Sequence, residues 1–255
     1  MRGSQAGSET VPSRWFDELD STNAEARRLA EAGEVGPVWI AARRQTAGRG
    51  RRGRVWEQGA GNLAATLLIH SDKPPGEAAQ LSFVAALAVG DLASACVPAS
   101  LVTFKWPNDV LVAGAKLSGV LIESGRASSD GLWLAIGVGV NLASAPTGPG
   151  IHATSLADHL QSQASASPAP EAALGLLAEA FERRIAAWID GGFEPVRAEW
   201  LASAWGLGER CTVRVGETAL AGFAEGLDID GALLLRLDDG SVRRITAGDV
   251  FFGEP

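Results

Sequence analysis

Short apolar runs with strand texture alternate along this chain with a few stretches of helical spacing. Ser21-Thr22-Asn23 precedes Ala24–Ala32, a stretch rich in Ala, Glu, Arg and Leu. Thr22 with Glu25 makes a capping-box pattern, which predicts that a helix starts here. Val38–Ala42 and Asn62–His70 read as strands that pair antiparallel across a loop too long for a tight hairpin. Glu77–Val97 is an Ala/Leu/Val-rich helix, apolar enough to be mostly buried. Leu101–Trp106, Asp109–Val112, Lys116–Glu123 and Leu132–Asn141 then read as strands, punctuated by Gly114 and Gly125. Leu174, Leu177, Phe181, Ile185, Trp188 and Ile189 recur at helical spacing within Glu171–Asp190. Phe193–Trp205 predicts one more helix. Strands gathered around helices, without repeating β-α-β units, predict an α+β fold with a mixed sheet.

From Glu209 the texture changes. Short strands at Cys211–Val215, Ala219–Leu227, Ala232–Leu237 and Val242–Ile245 are split by Gly216, Asp230-Gly231 and Asp239-Gly240. Regular turns of this kind predict a small β-barrel, with a domain boundary near Gly206. Residues 1–13 read as a disordered, tag-like N-terminus, 14–205 as the main domain and 206–255 as the C-terminal domain. Gln161–Pro170 is Ser/Ala/Pro-rich and reads as surface.

Composition narrows the function classes. The chain has 255 residues, 46% hydrophobic and 20% charged, with a net charge of −8, enough to bury a sizeable core. An acidic balance argues against general nucleic-acid binding, which needs a basic face. The three histidines form no metal-ligand pattern. Cys96 and Cys211 form no C-x-x-C and read as reduced core residues, which favours a cytoplasmic location. The N-terminus has no apolar signal region, and no apolar run reaches membrane-spanning length.

Against this acidic background, Gly48–Arg54 reads GRGRRGR, four arginines threaded on three glycines. Glycine lets a backbone approach a ligand. Arginine offers a planar fork that matches carboxylates and phosphates. The loop satisfies G-x-G-x-x-G, but no helix follows, as Gly59 and Gly61 and a return to strand texture show. With Val55 it also matches a kinase Gly-rich loop, yet H-R-D and D-F-G are missing. Gly48 and Gly53 have P-loop spacing, with Arg54-Val55 where Lys-Ser/Thr is required. What survives is a backbone cradle for an anion.

Four further segments complete a pattern: STN at Ser21–Asn23, KWPNDVLV at Lys105–Val112, KLSG.L.E from Lys116 to Glu123, and GVGVNL at Gly137–Leu142. With QTAGRGRRGR.W from Gln45 to Trp56, the chain closely resembles the biotin protein ligases (biotin–[acetyl-CoA-carboxylase] ligases), in the form without an N-terminal DNA-binding domain. The resemblance implies a catalytic fold like that of class II aminoacyl-tRNA synthetases and an SH3-like C-terminal barrel. It implies ATP, biotin and Mg2+ as ligands, and a biotin carboxyl carrier domain as partner. It implies neither DNA nor membrane binding, and leaves monomer and homodimer open.

The family's site roles carry over by resemblance. Ser21, Thr22, Asn23 and Gln45 match contacts to biotin, and Arg49, Gly50 and Arg51 match contacts to biotin and the acyl phosphate. Lys116, eleven residues after Lys105, is the expected main catalytic side chain, with Arg51 beside it. Arg54, Trp56, Lys105, Asn108 and Asn141 are expected at ATP, with Trp56 stacking on adenine and Asn141 reading it. Asp109 is the expected Mg2+ ligand. Gly137 and Gly139 are expected to let the nucleotide lie close to the strand. Arg52 is assigned to solvent. The residue-level readings leave simpler roles open: a helix cap at Ser21–Asn23, an Asx turn after Pro107, core packing for Trp56 and a snorkelling Lys116. Two rival functions remain: a lipoate or octanoate ligase or transferase of the same superfamily, and a non-catalytic nucleic-acid-binding module.

Overall fold

The computed structural model describes residues 11–127, 130–160 and 166–253. Residues 1–10 of the tag-like start and the first half, 161–165, of the Ser/Ala/Pro-rich stretch lie outside these residues. Residues 11–13, which the sequence places in the tail, belong to the fold. The Val11 amide donates to Glu182, the Pro12 carbonyl accepts from Trp39, and strand β1 begins at Ser13.

The main sheet has seven strands in the order β1-β2-β3-β7-β6-β5-β4. These are β1 (Ser13–Leu19), β2 (Val38–Gln45), β3 (Leu63–Ser71), β4 (Val102–Lys105), β5 (Asp109–Val112), β6 (Ala115–Arg126) and β7 (Leu132–Val140). β1 runs parallel to β2, and the other neighbours are antiparallel, β2 with β3 as expected. The sequence missed β1 because SRWFDEL is an edge strand with charges on both faces.

Alternation along the central strands buries both faces, because side chains point to opposite sides of a sheet with period two. Trp39, Ala41, Leu67, Leu134 and Ile136 face the larger core under the helices α3 (Leu81–Ser94) and α4 (Pro170–Gly191). Val38, Ile40, Leu68, Trp133 and Ala135 face the other way and pack on Ala26 and Ala30 of helix α1 (Thr22–Glu31). The expected single helix Glu77–Val97 is divided into α2 (Pro75–Ala78) and α3. The Ser82 and Phe83 amides bond three residues back, to Ala79 and Gln80, a 3-10 tightening between the two. Helix α5 (Phe193–Ala202) follows α4.

The C-terminal SH3-like domain is an antiparallel sheet ordered β11-β10-β9-β8-β12. Its strands are β8 (Arg210–Val215), β9 (Thr218–Leu227), β10 (Leu233–Arg236), β11 (Val242–Ile245) and β12 (Asp249–Phe252). The last was not legible as a strand. Trp106 Nε1 donates to the Gly231 carbonyl at 3.0 Å and joins this domain to the main sheet.

Helix α1 is short, ten residues, about 15 Å long. It covers only part of its sheet face. Beyond its N-terminus the face stays open, and the candidate site is there.

Candidate active site

Three strands supply the floor of the cleft. Ala64 and Thr66 of β3 lie opposite Gly139 and Gly137 of β7, which lie opposite Gly119 and Leu121 of β6. Small residues at alternate positions on one face leave a depression of about 960 Å3, open solvent at its mouth included. The loop Gly48–Trp56 roofs it, the Lys105–Asp109 turn and Lys116 wall it, and Asp249–Phe251 of β12 close one end.

Thirteen of the fourteen residues expected from sequence line this cleft: Ser21, Thr22, Asn23, Gln45, Arg49, Gly50, Arg51, Arg54, Trp56, Lys105, Asn108, Asp109 and Lys116. Asn141 does not. It is buried just past the end of β7, where its Nδ2 donates to the Thr154 carbonyl at 3.1 Å. Its Oδ1 is buried without a hydrogen-bond partner among the described residues.

Ser21-Thr22-Asn23 does not act as a capping box. Ser21 is the N-cap, and no side chain caps the first turn. The polar groups are engaged elsewhere. The Thr22 amide donates to Gln45 Oε1 at 2.8 Å. Asn23 Nδ2 donates to Glu123 Oε2 at 2.8 Å. Thr66 Oγ1 lies 2.7 Å from Asn23 Oδ1 and 2.8 Å from Thr22 Oγ1.

Gly137 and Gly139 make room for protein side chains. A Cβ at Gly137 would lie 2.1 Å from Asn23 Oδ1, and one at Gly139 would lie 2.3 Å from the Trp56 ring. The space that a Cβ would need at these two positions is taken by Asn23 and by the Trp56 indole, and both glycines line the cleft. Trp56 Nε1 is buried without a partner among the described residues, and Lys116 Nζ stands 5.8 Å from the ring centre.

The Arg-Gly loop turns inward. Arg51–Gly53 forms one 3-10 turn with Arg52 in the left-handed region at φ 57°, so no helix follows the glycines. Arg49 pairs with Glu123 at 3.5 Å. Arg51 Nη1 donates to Asn108 Oδ1 at 3.1 Å and to the Gly248 carbonyl at 3.3 Å. Asn108 Nδ2 donates to the Val120 carbonyl at 2.7 Å, across to β6. Arg54 pairs with Asp249 at 2.5 Å. Arg52, assigned to solvent from sequence, pairs with Asp249 at 3.1 Å and donates to the Arg214 carbonyl. The C-terminal domain therefore holds three of the four loop arginines. Burial alone would raise the Asp249 carboxyl, but Arg52 and Arg54 outweigh it and hold the group below its ordinary value.

Lys116 Nζ pairs with Asp109 Oδ1 at 2.6 Å across β5 and β6. Lys105 and Arg51 are half-buried cations of the site without a direct carboxylate partner among the described residues. Burial lowers the pKa of each, and Asp109 and Asp249 only partly offset it. A buried cation short of countercharge gains from an incoming anion. Five cationic and two carboxylate side chains line the cleft, so it favours anions although the chain is acidic.

Glu123, Thr66 and Asp249 were missed as functional candidates. Glu123 stood inside a quoted motif without a role, and Thr66 lay in an ordinary strand. Asp249 had no local signal, since its partners are 197 and 195 residues away.

Among the described residues no cluster of three or more His, Cys, Asp or Glu is arranged to hold a metal, and no helix is long and apolar enough to cross a membrane. Cys96 and Cys211 are unpaired, and burial raises both thiols.

Comparison with known proteins gives the same site a lineage. Residues 15–141 match the model of the Biotin/lipoate A/B protein ligase family, and residues 206–253 match the Biotin protein ligase C terminal domain. The chain is 46% identical over 236 residues to the biotin–[acetyl-CoA-carboxylase] ligase of Paracoccus denitrificans, covering 92% of this chain and 98% of that protein. It is 30% identical to the bifunctional ligase/repressor BirA of Bacillus subtilis, covering 94% of this chain and 73% of the relative. Among solved structures, the Aquifex aeolicus biotin protein ligase in complex with biotin and ATP superposes with a TM-score of 0.78. That match has 26% identity and covers 96% of this chain and 99% of the other. The Leishmania major enzyme with biotinyl-5-AMP gives a TM-score of 0.63 at 26% identity, covering 92% and 99%. Two family models joined in order, and a 46% identical relative matched almost end to end, place the chain in the biotin/lipoate A/B protein ligase family, among the biotin protein ligases.

Proposed function

We propose that this protein is an ATP-dependent biotin–[biotin carboxyl-carrier protein] ligase. It joins the carboxylate of biotin to the α-phosphate of ATP, releasing pyrophosphate, and then transfers the biotinyl group to a lysine of a carrier domain. One observation carries the reading: five separate sequence motifs converge on a single cleft whose lining is cationic in a chain of net charge −8.

The chemistry needs that lining. A carboxylate held 4 Å from a phosphate costs about 4 kcal/mol at an effective dielectric of 20. Arg49, Arg51 and Lys116 offset this repulsion and stabilise charge that builds at phosphorus. Lys116 leaves Asp109 for the reacting groups and acts as the main catalytic side chain. Ser21, Thr22, Asn23 and Gln45 orient biotin. Arg54, Lys105 and Asn108 hold the phosphates, and Trp56 offers an aromatic face to adenine. Closure of the Arg-Gly loop excludes water from the mixed anhydride.

Magnesium fits as an ion delivered with the nucleotide. Mg2+ typically takes one or two carboxylates plus substrate phosphates, and Asp109, one of the two cleft carboxylates, becomes available once Lys116 moves. When bound, the ion neutralises triphosphate charge. We assign residues 11–205 to the catalytic domain and 206–255 to the C-terminal domain, whose Asp249 orders the loop. We place the protein in the cytoplasm, with a biotin carboxyl carrier domain as its partner.

The rivals fit less well. An octanoyltransferase needs a reactive cysteine, whereas burial raises both thiols here and so keeps them inert. A nucleic-acid module needs its basic groups turned outward, whereas Arg49, Arg52, Arg54 and Lys116 are paired with carboxylates. The test is mass spectrometry of a carrier domain incubated with ATP, biotin and this protein. A biotinyl mass gain on one carrier lysine is expected, and a gain with lipoate alone would overturn the assignment.

A further inference from the structure

Glu123 fixes the proton order of the cleft floor. A carboxylate only accepts hydrogen bonds, so Asn23 must turn its Nδ2 to Glu123 Oε2, 2.8 Å away. The Leu121 carbonyl reinforces that orientation at 3.3 Å. Asn23 Oδ1 then faces Thr66 Oγ1 at 2.7 Å. Because Oδ1 only accepts, Thr66 commits its single proton there. Thr66 Oγ1 lies 2.8 Å from Thr22 Oγ1 and, with its proton on Asn23, can only accept there, so the Thr22 hydroxyl is drawn to donate to Thr66 over its longer 3.3 Å contact with Gln45 Oε1. The Thr22 amide in turn takes Gln45 Oε1, which leaves the Gln45 NH2 as the free end of that side chain. Thr66, Thr22 and Asn23 are all buried, so water cannot substitute at the wrong end. The same Glu123 Oε2 lies 3.5 Å from Arg49 Nη2 and ties the roof to the floor.

We propose that Glu123 is a positioning residue for the ligase reaction: through Asn23 it sets the donor and acceptor pattern that the cleft floor presents to biotin. This rests on the functional reading above and extends it to a residue that the motifs do not explain.

The test compares Asn23→Asp, Glu123→Gln and the double variant, using the full chain. Asn23→Asp sets two carboxylates against each other. The KM for biotin is expected to rise by roughly tenfold or more, the effect of losing a hydrogen bond to a charged group, with the KM for ATP little changed. In the double variant the amide introduced at position 123 donates its NH2 to the carboxylate introduced at position 23, which still accepts from Thr66. The proton order downstream is restored, and Asn23→Asp is expected to cost several-fold less than in the wild-type background. An equal rise in both backgrounds would overturn the proposal, as would a fall in kcat with no change in the KM for biotin. Melting temperatures of the four proteins without ligand give an independent readout, in which rescue supports the proposal and additivity refutes it. Failure of the wild-type protein to release pyrophosphate with biotin would instead overturn the functional reading, and the melting cycle would still decide the role of Glu123.

Discussion

Replacing Asp249 by Asn removes the carboxylate that pins the Arg-Gly loop to the C-terminal domain. In the native protein it pairs with Arg52 at 3.1 Å and Arg54 at 2.5 Å, and those side chains are 37% and 60% exposed. Exposed pairs are worth about 0.2–1 kcal/mol each, so the two together hold the loop by roughly 0.5–2 kcal/mol. A loss of that size raises the open fraction of the loop by about two- to thirty-fold. Two amides report on it, because Gly50 N–H donates to Arg54 O at 2.7 Å and Trp56 N–H to Gly48 O at 3.0 Å inside the closed loop. Hydrogen exchange at both is expected to accelerate by that factor in Asp249→Asn, and the difference from wild type is expected to shrink in high salt. The pH dependence has a definite sign. The Asp249 carboxyl is held below the ordinary aspartate value, so its contribution is complete above that value and fades as pH falls through the lowered one. The extra protection of the wild-type loop should therefore persist down to the ordinary carboxylate range and vanish only in stronger acid. Equal exchange in the two proteins at neutral pH and low salt would refute the reasoning.

Two further substitutions probe the floor and wall of the cleft. Lys116→Ala removes a cation and leaves Asp109 unpaired toward the phosphates, and biotinyl-adenylate formation in single turnovers should fall by about 10²–10³-fold, the usual cost of one transition-state donor; an unchanged rate would refute its catalytic role. Gly137→Ala drives a Cβ to 2.1 Å from Asn23 Oδ1, an overpacking cost of about 1–3 kcal/mol, so the melting temperature should drop by several degrees and the KM for biotin should rise. Adding Asn23→Ala relieves the clash but strands Glu123 and Thr66, so the melting temperature should not return to the wild-type value and the KM should stay high.

The sequence made the site's inventory legible, and the fold explains where that legibility ends. Central strands read clearly because burial on both faces demands unbroken apolar runs, as in Val38–Ala42. The edge strand β1 and the four-residue β12 carry no such constraint. The motif residues announced themselves by type and spacing, but their pairings did not. Thr22 and Glu25 match a capping box, yet tertiary contacts to Gln45 and Thr66 offer the Thr22 groups better partners than a helix turn. Gly137 and Gly139 signalled close approach without revealing that Asn23 and Trp56 are what approaches. Arg52 was indistinguishable from a solvated arginine because Asp249 lies 197 residues further on. Pairing at that distance is a product of how two domains dock, and no local pattern encodes it.

The same pairings resolve the contrast between an acidic chain and a cationic cleft. Four cations in and beside the cleft are matched to carboxylates: Arg49 to Glu123, Lys116 to Asp109, and Arg54 and the neighbouring Arg52 to Asp249. Each pair retains some solvent access, so exchanging a carboxylate for a substrate anion replaces one ion pair by another while water takes up the released carboxylate. Such an exchange costs far less than creating a bare cluster of cations. Arg51 and Lys105 differ. They have no direct carboxylate partner among the described residues and are buried enough to lower their pKa. They carry the unmet demand for negative charge, and the paired residues supply mobility. The cleft can therefore stay folded without ligand and still draw a carboxylate and a phosphate to adjacent positions.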